Sequence, residues 1–198
     1  LITDANKRKV INDGVMVIGH NGQLINETNT NIGGVIEVQT PVLTENQWYF
    51  VGAPFAGYTL GAVKPVSGSD VAMVKYDYTQ GKWSDAWATF ETPMEAGEGI
   101  FAWPFYGGAI TFSTYNFGAS TDSTYPENAD STYVLNNGVV TVTESVVNSA
   151  GGNWMALSNP YPAKLSVSKF WETNKSVLSL SFFGSPLYKD FAKNILKY

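Results

Sequence analysis

The sequence has no cysteine, one histidine and few charged residues. Of its 198 residues only 15% are charged, well below the roughly 25% of an ordinary soluble domain. The absence of cysteine excludes disulfides, thiol nucleophiles and cysteine-based zinc sites. Because His20 is the only histidine, a zinc site built from several histidines is excluded, and a Ser-His-Asp triad would depend on this one residue. No apolar stretch approaches about 18 residues, so we predict no insertion into a membrane.

Acidic residues dominate the body of the chain, and the formal net charge is -5. Between residues 10 and 163 the only basic residues are Lys64, Lys75 and Lys82, against fourteen acidic ones. A body of this charge repels phosphate backbones and anionic lipid surfaces. We therefore predict that the protein binds neither nucleic acid nor an anionic membrane surface.

Aromatic residues, at 14%, and glycine are plentiful by contrast. Short apolar runs at residues 14–20, 34–39, 48–51, 100–103 and 109–114 are separated by Gly, Pro and Asn. Runs of this length with such punctuation, and with no helical period between them, are typical of strands. The sequence thus predicts an all-β fold with a β-sandwich-like antiparallel architecture.

Three further segments carry a clear pattern. Residues 73–83 predict a hairpin in which Gly81 supplies a left-handed turn position. Residues 139–147 alternate valine with threonine and predict another strand. At the end of the chain, the apolar spacing over residues 186–198 predicts a short C-terminal helix.

The chain contains one internal repeat, which guides the predicted domain division. Residues 48–55 (WYFVGAPF) align without gaps on residues 154–161 (WMALSNPY). The shared pattern predicts a buried strand that leaves its sheet at a proline and is covered there by an aromatic ring. We predict an N-terminal β segment over residues 1–47 that packs on a main β module over residues 48–198, with the repeat starting at 154.

Five segments in order carry a resemblance to a known group of proteins. They are residues 48–54 (WYFVGAP), 76–83 (YDYTQGKW), 96–100 (AGEGI), 110–113 (ITFS) and 154–163 (WMALSNPYPA). Together they resemble a β-rich module of large secreted and surface proteins of Bacteroidetes, of the kind exported by the type IX route. The chain departs from that pattern at Ile100, where an aromatic residue is usual, and at Ser158, where glycine is usual.

The resemblance implies a secreted or cell-surface location, with other domains of a larger surface protein as partners. It implies an adhesion or scaffold role and carries no catalytic residues. The lack of an initiator Met and of a signal-peptide pattern predicts a mature fragment or a piece of a longer protein. The resemblance also implies that Ser123 and Ser131, each in an Asp-Ser-Thr segment, are O-glycosylation sites.

Aromatic residues supply the main candidate binding site. Trp83, Trp87, Trp103 and Tyr106 exceed what a small core needs, and exposed planar rings stack on sugars. This constellation predicts glycan binding, as an alternative to a purely structural module in which the same rings fill the core.

Acidic residues offer two weaker candidates. Asp122, Glu127 and Asp130 lie in one polar loop and could supply the oxygen ligands of a calcium site, although no EF-hand pattern is present. The acidic region formed by Asp70, Asp77, Asp85, Glu91, Glu95 and Glu98 could hold the paired carboxylates of a glycoside hydrolase. The favoured prediction is a non-catalytic module; the alternatives are a carbohydrate-binding module and a hydrolase-like enzyme.

Overall fold

The computed structural model describes residues 2–3, 12–26, 32–64, 71–78, 80–136, 138–142 and 156–176. Within these ranges the chain is mostly short strands, with one short α-helix. The chain divides into two compact units, Leu1–Ala163 and Lys164–Tyr198. The all-β prediction is confirmed, whereas the sandwich arrangement stays a prediction.

The first sheet has β4 (Val35–Gln39) at its centre, between β13 (Thr111–Ser113) and β2 (Val15–Ile18). β13 pairs antiparallel with β4, but β2 pairs parallel with it. This parallel pair departs from the antiparallel arrangement that we predicted. The connection between β2 and β4 is long enough to allow this pairing, since parallel strands cannot be joined by a tight hairpin. The turn at His20 therefore closes no hairpin with β4.

The second sheet has β12 (Ile100–Pro104) at its centre, between β5 (Tyr49–Val51) and β8 (Val71–Val74). Both neighbours pair antiparallel with β12. Burial alternates along β12, with Ile100 and its alternate residues turned to the core, as the two-residue period of a strand requires. The opposite face of this sheet carries the candidate site.

The remaining strands form small pairs around these two sheets. A turn of 3-10 helix spans Leu60–Ala62. Gly81 has a φ of +65° in the turn of the predicted hairpin, which confirms the left-handed position expected there. The pairs are β1 (Ile2–Thr3) with β3 (Ile25–Asn26), β6 (Phe55–Ala56) with β14 (Val134–Leu135), β7 (Tyr58–Thr59) with β11 (Pro93–Met94), and β9 (Tyr76–Asp77) with β10 (Lys82–Trp83).

One apolar core joins the two sheets within the first unit. Phe112 and Ile36 enter it from the first sheet, and Met73 and Ile100 enter it from the second. Tyr58, in β7, is fully buried in the same cluster. Each large apolar side chain buried in this way stabilises the fold by about 1.5–3 kcal/mol, so the core fixes both sheets in the unit.

Two of the sequence predictions concern the second half of the chain. Residues 138–142 are described and form no strand, so the predicted strand over residues 139–147 is wrong for that part. Its remaining residues, and the predicted helix over residues 186–198, lie outside the described part of the chain.

The second unit contains the helix α1 (Val167–Asn174), which the sequence analysis did not predict. It begins at Ser166, whose side chain accepts a hydrogen bond from the Lys169 N–H. Serine at this position is a common start signal, because it satisfies an N–H that has no partner in the helix. None of the helices in the described ranges is long and apolar enough to cross a membrane.

Candidate functional site

The outer face of the second sheet carries aromatic rings where a solvent-facing strand usually carries polar residues. Phe101 and Trp103 alternate along β12 with the residues buried in the core. Phe50 lies opposite Phe101 in the strand register, and the two ring centres are 5.7 Å apart in an edge-to-face contact. Trp48, just before β5, has its ring centre 5.2 Å from that of Trp103. Two cross-strand aromatic pairs thus lie side by side.

A returning segment adds two more tryptophans to this face. After the β9–β10 hairpin, Ser84 N–H donates to the Lys75 carbonyl and Ala88 N–H donates to the Met73 carbonyl. These bonds hold the segment along the end of β8. Trp83 consequently lies with its ring centre 4.1 Å from that of Phe101.

Trp87, within the same segment, stacks on Trp48 at 5.9 Å, with only 20° between the ring planes. Hereafter "the aromatic face" denotes the six residues that these contacts connect. They are Trp48, Phe50, Trp83, Trp87, Phe101 and Trp103.

Half of the aromatic face is open to solvent. Trp48 and Phe50 are each 46% exposed and Trp87 is 55% exposed, while the rings of Trp83, Phe101 and Trp103 are half-buried. Large apolar patches on a surface mark binding sites more often than single exposed residues do. A flat aromatic surface of this kind can stack on the C–H face of a sugar ring or on another planar apolar group.

Gly99 leaves the space that the exposed ring of Phe50 occupies. A β-carbon placed on Gly99 would overlap the ring of Phe50, which lies directly against the backbone there. Any other residue at position 99 would push that ring away from the sheet. Gly99, just before β12, therefore sets the position of one ring of the aromatic face.

The structure brings together three of the four predicted glycan-binding residues. Trp83, Trp87 and Trp103 all belong to the aromatic face. Tyr106 is 56% exposed in the bend that follows β12. Among the described residues it shares no ring contact with those three, so it stands apart from the face.

The sequence analysis missed Trp48, Phe50 and Phe101. Residues 48–51 (WYFV) form a continuous apolar run, and such a run does not reveal which side chains face outward. One signal was available, since Phe101 and Trp103 alternate with the small residue Ala102. That spacing places both rings on one face of a strand.

The predicted calcium ligands do not gather into a metal site. Asp122 Oδ1 accepts hydrogen bonds from the Thr124 N–H and hydroxyl at 2.9 and 2.8 Å, which lowers the pKa of the Asp122 carboxyl. Asp130 Oδ1 accepts from the Ser131 N–H at 2.7 Å. These carboxylates stabilise their own turns, and Glu127 is exposed. No group of three or more His, Cys, Asp or Glu side chains that could hold a metal occurs in the described part of the chain.

The two predicted glycosylation sites lie in different surroundings. The Ser131 hydroxyl contacts Thr114 Oγ1 at 2.8 Å and donates to the Gly34 carbonyl, so it ties its loop to the first sheet. Attachment of a glycan would remove the hydrogen that Ser131 donates to the Gly34 carbonyl. Ser123 is half-buried in the same loop, and its modification stays a prediction.

The buried carboxylate of Glu37 is paired with a lysine. Lys64 Nζ lies 2.5 Å from Glu37 Oε1 and 4.7 Å from the ring centre of Tyr125. The Tyr125 hydroxyl donates to the same carboxylate at 2.7 Å and lies 3.1 Å from Ser113 Oγ. Burial, with a smaller contribution from Glu37, raises the pKa of the Tyr125 hydroxyl above its usual range. The cluster fastens residue 125 to the first sheet.

Glu98 forms a second buried ion pair. Its Oε2 lies 3.0 Å from Lys75 Nζ and accepts the Glu95 N–H at 3.0 Å. Burial raises the pKa of the Tyr58 and Tyr78 hydroxyls, and the charge of Glu98 adds to both shifts. A carboxylate held in this way stabilises the turn before β12.

Other acidic residues of the hydrolase alternative have structural partners too. Asp85 pairs with Lys82 at 2.5 Å, and Asp77 Oδ1 accepts the Gln80 N–H at 3.1 Å within the hairpin turn. His20, the only histidine, is exposed, and its Nε2 lies 2.8 Å from Asn21 Nδ2 in the turn after β2.

The two copies of the internal repeat meet beside the turn that leads into β12. Val51 pairs with Ile100, and the aligned Leu157 forms an antiparallel bridge with Glu98. Both copies thus contact the segment that begins at residue 98. Trp154, which starts the second copy, lies outside the described residues.

A single asparagine connects the aligned prolines of the two copies. The backbone N–H of Asn136 donates to the Pro54 carbonyl at 2.9 Å, and its side-chain amide donates to the Pro160 carbonyl at 2.8 Å. The two strand exits are therefore held by the same residue, which fixes the sheet edge that underlies the aromatic face.

Comparison with known proteins places the chain in a family. Residues 2–183 match the model of a family described as a domain of unknown function (DUF8693), and the chain belongs to that family. Neither a search of the curated proteins nor a search of the solved structures found a match.

Proposed function

We propose that this DUF8693 chain is a non-catalytic binding module of a secreted or cell-surface protein, and that it holds carbohydrate through the aromatic face. The observation that carries this proposal is the composition of the outer face of the second sheet. Three of its rings, those of Trp48, Phe50 and Trp87, are at least 46% exposed. Trp48 and Phe50 pack edge to face on the half-buried rings of Trp103 and Phe101, and Trp87 stacks on Trp48.

The ring contacts give this surface the rigidity that sugar binding needs. A ring fixed by its neighbours loses little conformational freedom when a ligand stacks on it, so more of the contact energy remains as affinity. Lys82 and Asp85 are exposed on the hairpin beside Trp83. Their polar groups are available to sugar hydroxyls, which also need hydrogen-bond partners.

Two further considerations support the non-catalytic, extracellular part of the proposal. The buried carboxylates Glu37 and Glu98 are each paired with a lysine, and such carboxylates are poorly suited to a paired acid–base mechanism. The order of motifs that ends in residues 154–163 resembles modules of secreted and surface proteins. On this basis the module serves adhesion or scaffolding within a larger protein.

The experiment is affinity gel electrophoresis of the purified chain with a panel of soluble polysaccharides, comparing wild type with Trp87→Ala. We expect wild type to be retarded by at least one polysaccharide. We expect Trp87→Ala to weaken that binding by about 30-fold, which corresponds to the ~2 kcal/mol of a large aromatic anchor. The matched control is Tyr106→Ala, because Tyr106 is as exposed as Trp87 but stands apart from the aromatic face.

Two results would contradict the proposal. If wild type and Trp87→Ala bind equally, and circular dichroism shows that both are folded, the aromatic face is not the site that binds the ligand. A wild-type dimer that dissociates on Trp87→Ala, with no polysaccharide bound, would mean that a second copy of the chain covers this face.

A further inference from the structure

We infer that the carbohydrate held by the aromatic face is an uncharged chain of several sugar units. This inference rests on the proposed function and specifies the class of ligand. Two independent features support it. The basic residues in this part of the protein are paired with carboxylates, and the row of aromatic rings is longer than one sugar.

Every basic residue between positions 10 and 163 is already paired with a carboxylate. These residues are Lys64, Lys75 and Lys82, and their ammonium groups lie 2.5, 3.0 and 2.5 Å from the carboxylates of Glu37, Glu98 and Asp85, respectively. Two of the three acidic partners are buried. If Lys64 or Lys75 turned to a ligand, the buried carboxylate of Glu37 or Glu98 would lose its partner, which is strongly destabilising.

An anionic sugar would therefore find a spare cation in this stretch at most in Lys82, where the exposed carboxylate of its partner Asp85 would repel it. Uronate and sulfate groups are held in proteins by Arg and Lys in charge-assisted hydrogen bonds. The same stretch carries fourteen acidic residues, and exposed carboxylates such as Glu45 and Glu91 would repel a polyanion. A neutral glycan needs no cationic partner and is not repelled by the carboxylates. It makes the same contacts with the aromatic rings.

The aromatic face also extends beyond the size of one sugar. Phe50 and Phe101 form one cross-strand pair, and Trp48 and Trp103 form the next pair, two residues further along the strands. Two residues of a strand span about 6.8 Å. Trp87 adds a further ring 5.9 Å from Trp48. A single sugar covers only part of this row, whereas a chain of sugars can contact most of it.

The first test compares neutral and anionic polymers with the same backbone. The full chain is titrated with hydroxyethylcellulose against carboxymethylcellulose and with dextran against dextran sulfate, alongside neutral mannan and laminarin and anionic alginate. We expect the protein to bind at least one of the neutral polymers. At low salt, the charged partner of a bound polymer is expected to bind at least about tenfold more weakly, a gap that narrows as salt screens the repulsion.

The second test measures chain length. Oligosaccharides prepared from the neutral polymer that binds are compared from two sugar units upward by isothermal titration calorimetry. We expect affinity to rise about tenfold or more between two and about six units, since additional rings come into contact. Trp48→Ala should reduce the gain from length, because it removes the ring that links the two ends of the row.

The outcomes separate this inference from the proposed function. Binding to no polysaccharide overturns both. Binding that requires Trp87 but favours the anionic polymers overturns the inference and leaves the proposed function in place. A monosaccharide that binds as tightly as the longer chains also overturns the inference alone.

Discussion

Gly52 and Ser158 occupy the same position in the two copies of the repeat, and they are in direct contact. A β-carbon placed on Gly52 would overlap the Ser158 hydroxyl, which donates to the Glu98 carbonyl at 2.8 Å. The two segments approach this closely because one copy has no side chain there and the other has a small polar one. The contact brings together strand exits separated by about a hundred residues of sequence.

Gly52→Ala is expected to destabilise the protein by about 2 kcal/mol, because the added methyl group meets both a side chain and the backbone of Glu98 in a packed region. Urea unfolding followed by tryptophan fluorescence measures the change. Gly14→Ala is the matched control, since nothing lies within 4 Å of a β-carbon at that position. The double variant Gly52→Ala/Ser158→Gly should recover part of the loss. Equal stabilities for Gly52→Ala and Gly14→Ala would contradict the packing argument.

Gly99→Ala is expected to affect binding more than stability. The added methyl group would overlap the far end of the Phe50 ring, which is 46% exposed and can move outward. We expect a loss of about 1 kcal/mol or less in unfolding free energy and an approximately tenfold loss of polysaccharide affinity. Paired measurements of urea unfolding and gel retardation test this. A variant that binds as wild type does would mean that the position of Phe50 is unimportant.

Alkaline pH is expected to destabilise the protein. Burial raises the pKa of Tyr58 and Tyr125 above the usual value of about 10, so the folded chain keeps protons that the unfolded chain loses. Their contribution is fully present below about pH 10 and declines as the pH rises above it. Urea midpoints between about pH 8 and 11 measure the decline.

Tyr58→Phe should make this alkaline decline shallower while lowering stability at neutral pH, because the hydrogen bond from the Ala53 N–H to the Tyr58 hydroxyl is lost. Tyr106→Phe, which removes an exposed hydroxyl, is the control and should change the neutral-pH stability little. Identical alkaline declines for wild type and Tyr58→Phe would contradict the argument.

The strands were largely predictable from sequence, because each apolar run is short and ends at a residue that breaks a strand. The runs at residues 34–39 and 100–103 correspond closely to Val35–Gln39 and Ile100–Pro104. Pairing was less predictable, because the parallel partnership of Val15–Ile18 depends on a long connection rather than on local pattern. The helix Val167–Asn174 was missed, since its signal was one capping serine and a short mixed segment.

The candidate site was only partly predictable for a related reason. Trp83, Trp87 and Trp103 drew attention as excess aromatic residues, and the structure places them together. Trp48 and Phe50 were hidden in an apolar run whose two faces look alike in sequence. Which of those faces meets solvent is decided by the core residues of other strands, and no local pattern records that.

The aromatic face also provides an intrinsic spectroscopic reporter. The protein has six tryptophans, and four of them, Trp48, Trp83, Trp87 and Trp103, lie in this one cluster, where the ring of Trp48 is 5.2 Å from that of Trp103 and 5.9 Å from that of Trp87. Indole transitions held this near to one another in fixed orientations couple, and they give the near-ultraviolet circular dichroism a shape that depends on ring geometry. Emission colour and dichroism are therefore expected to change when the proposed ligand covers these rings, in an unlabelled chain and without a separate assay.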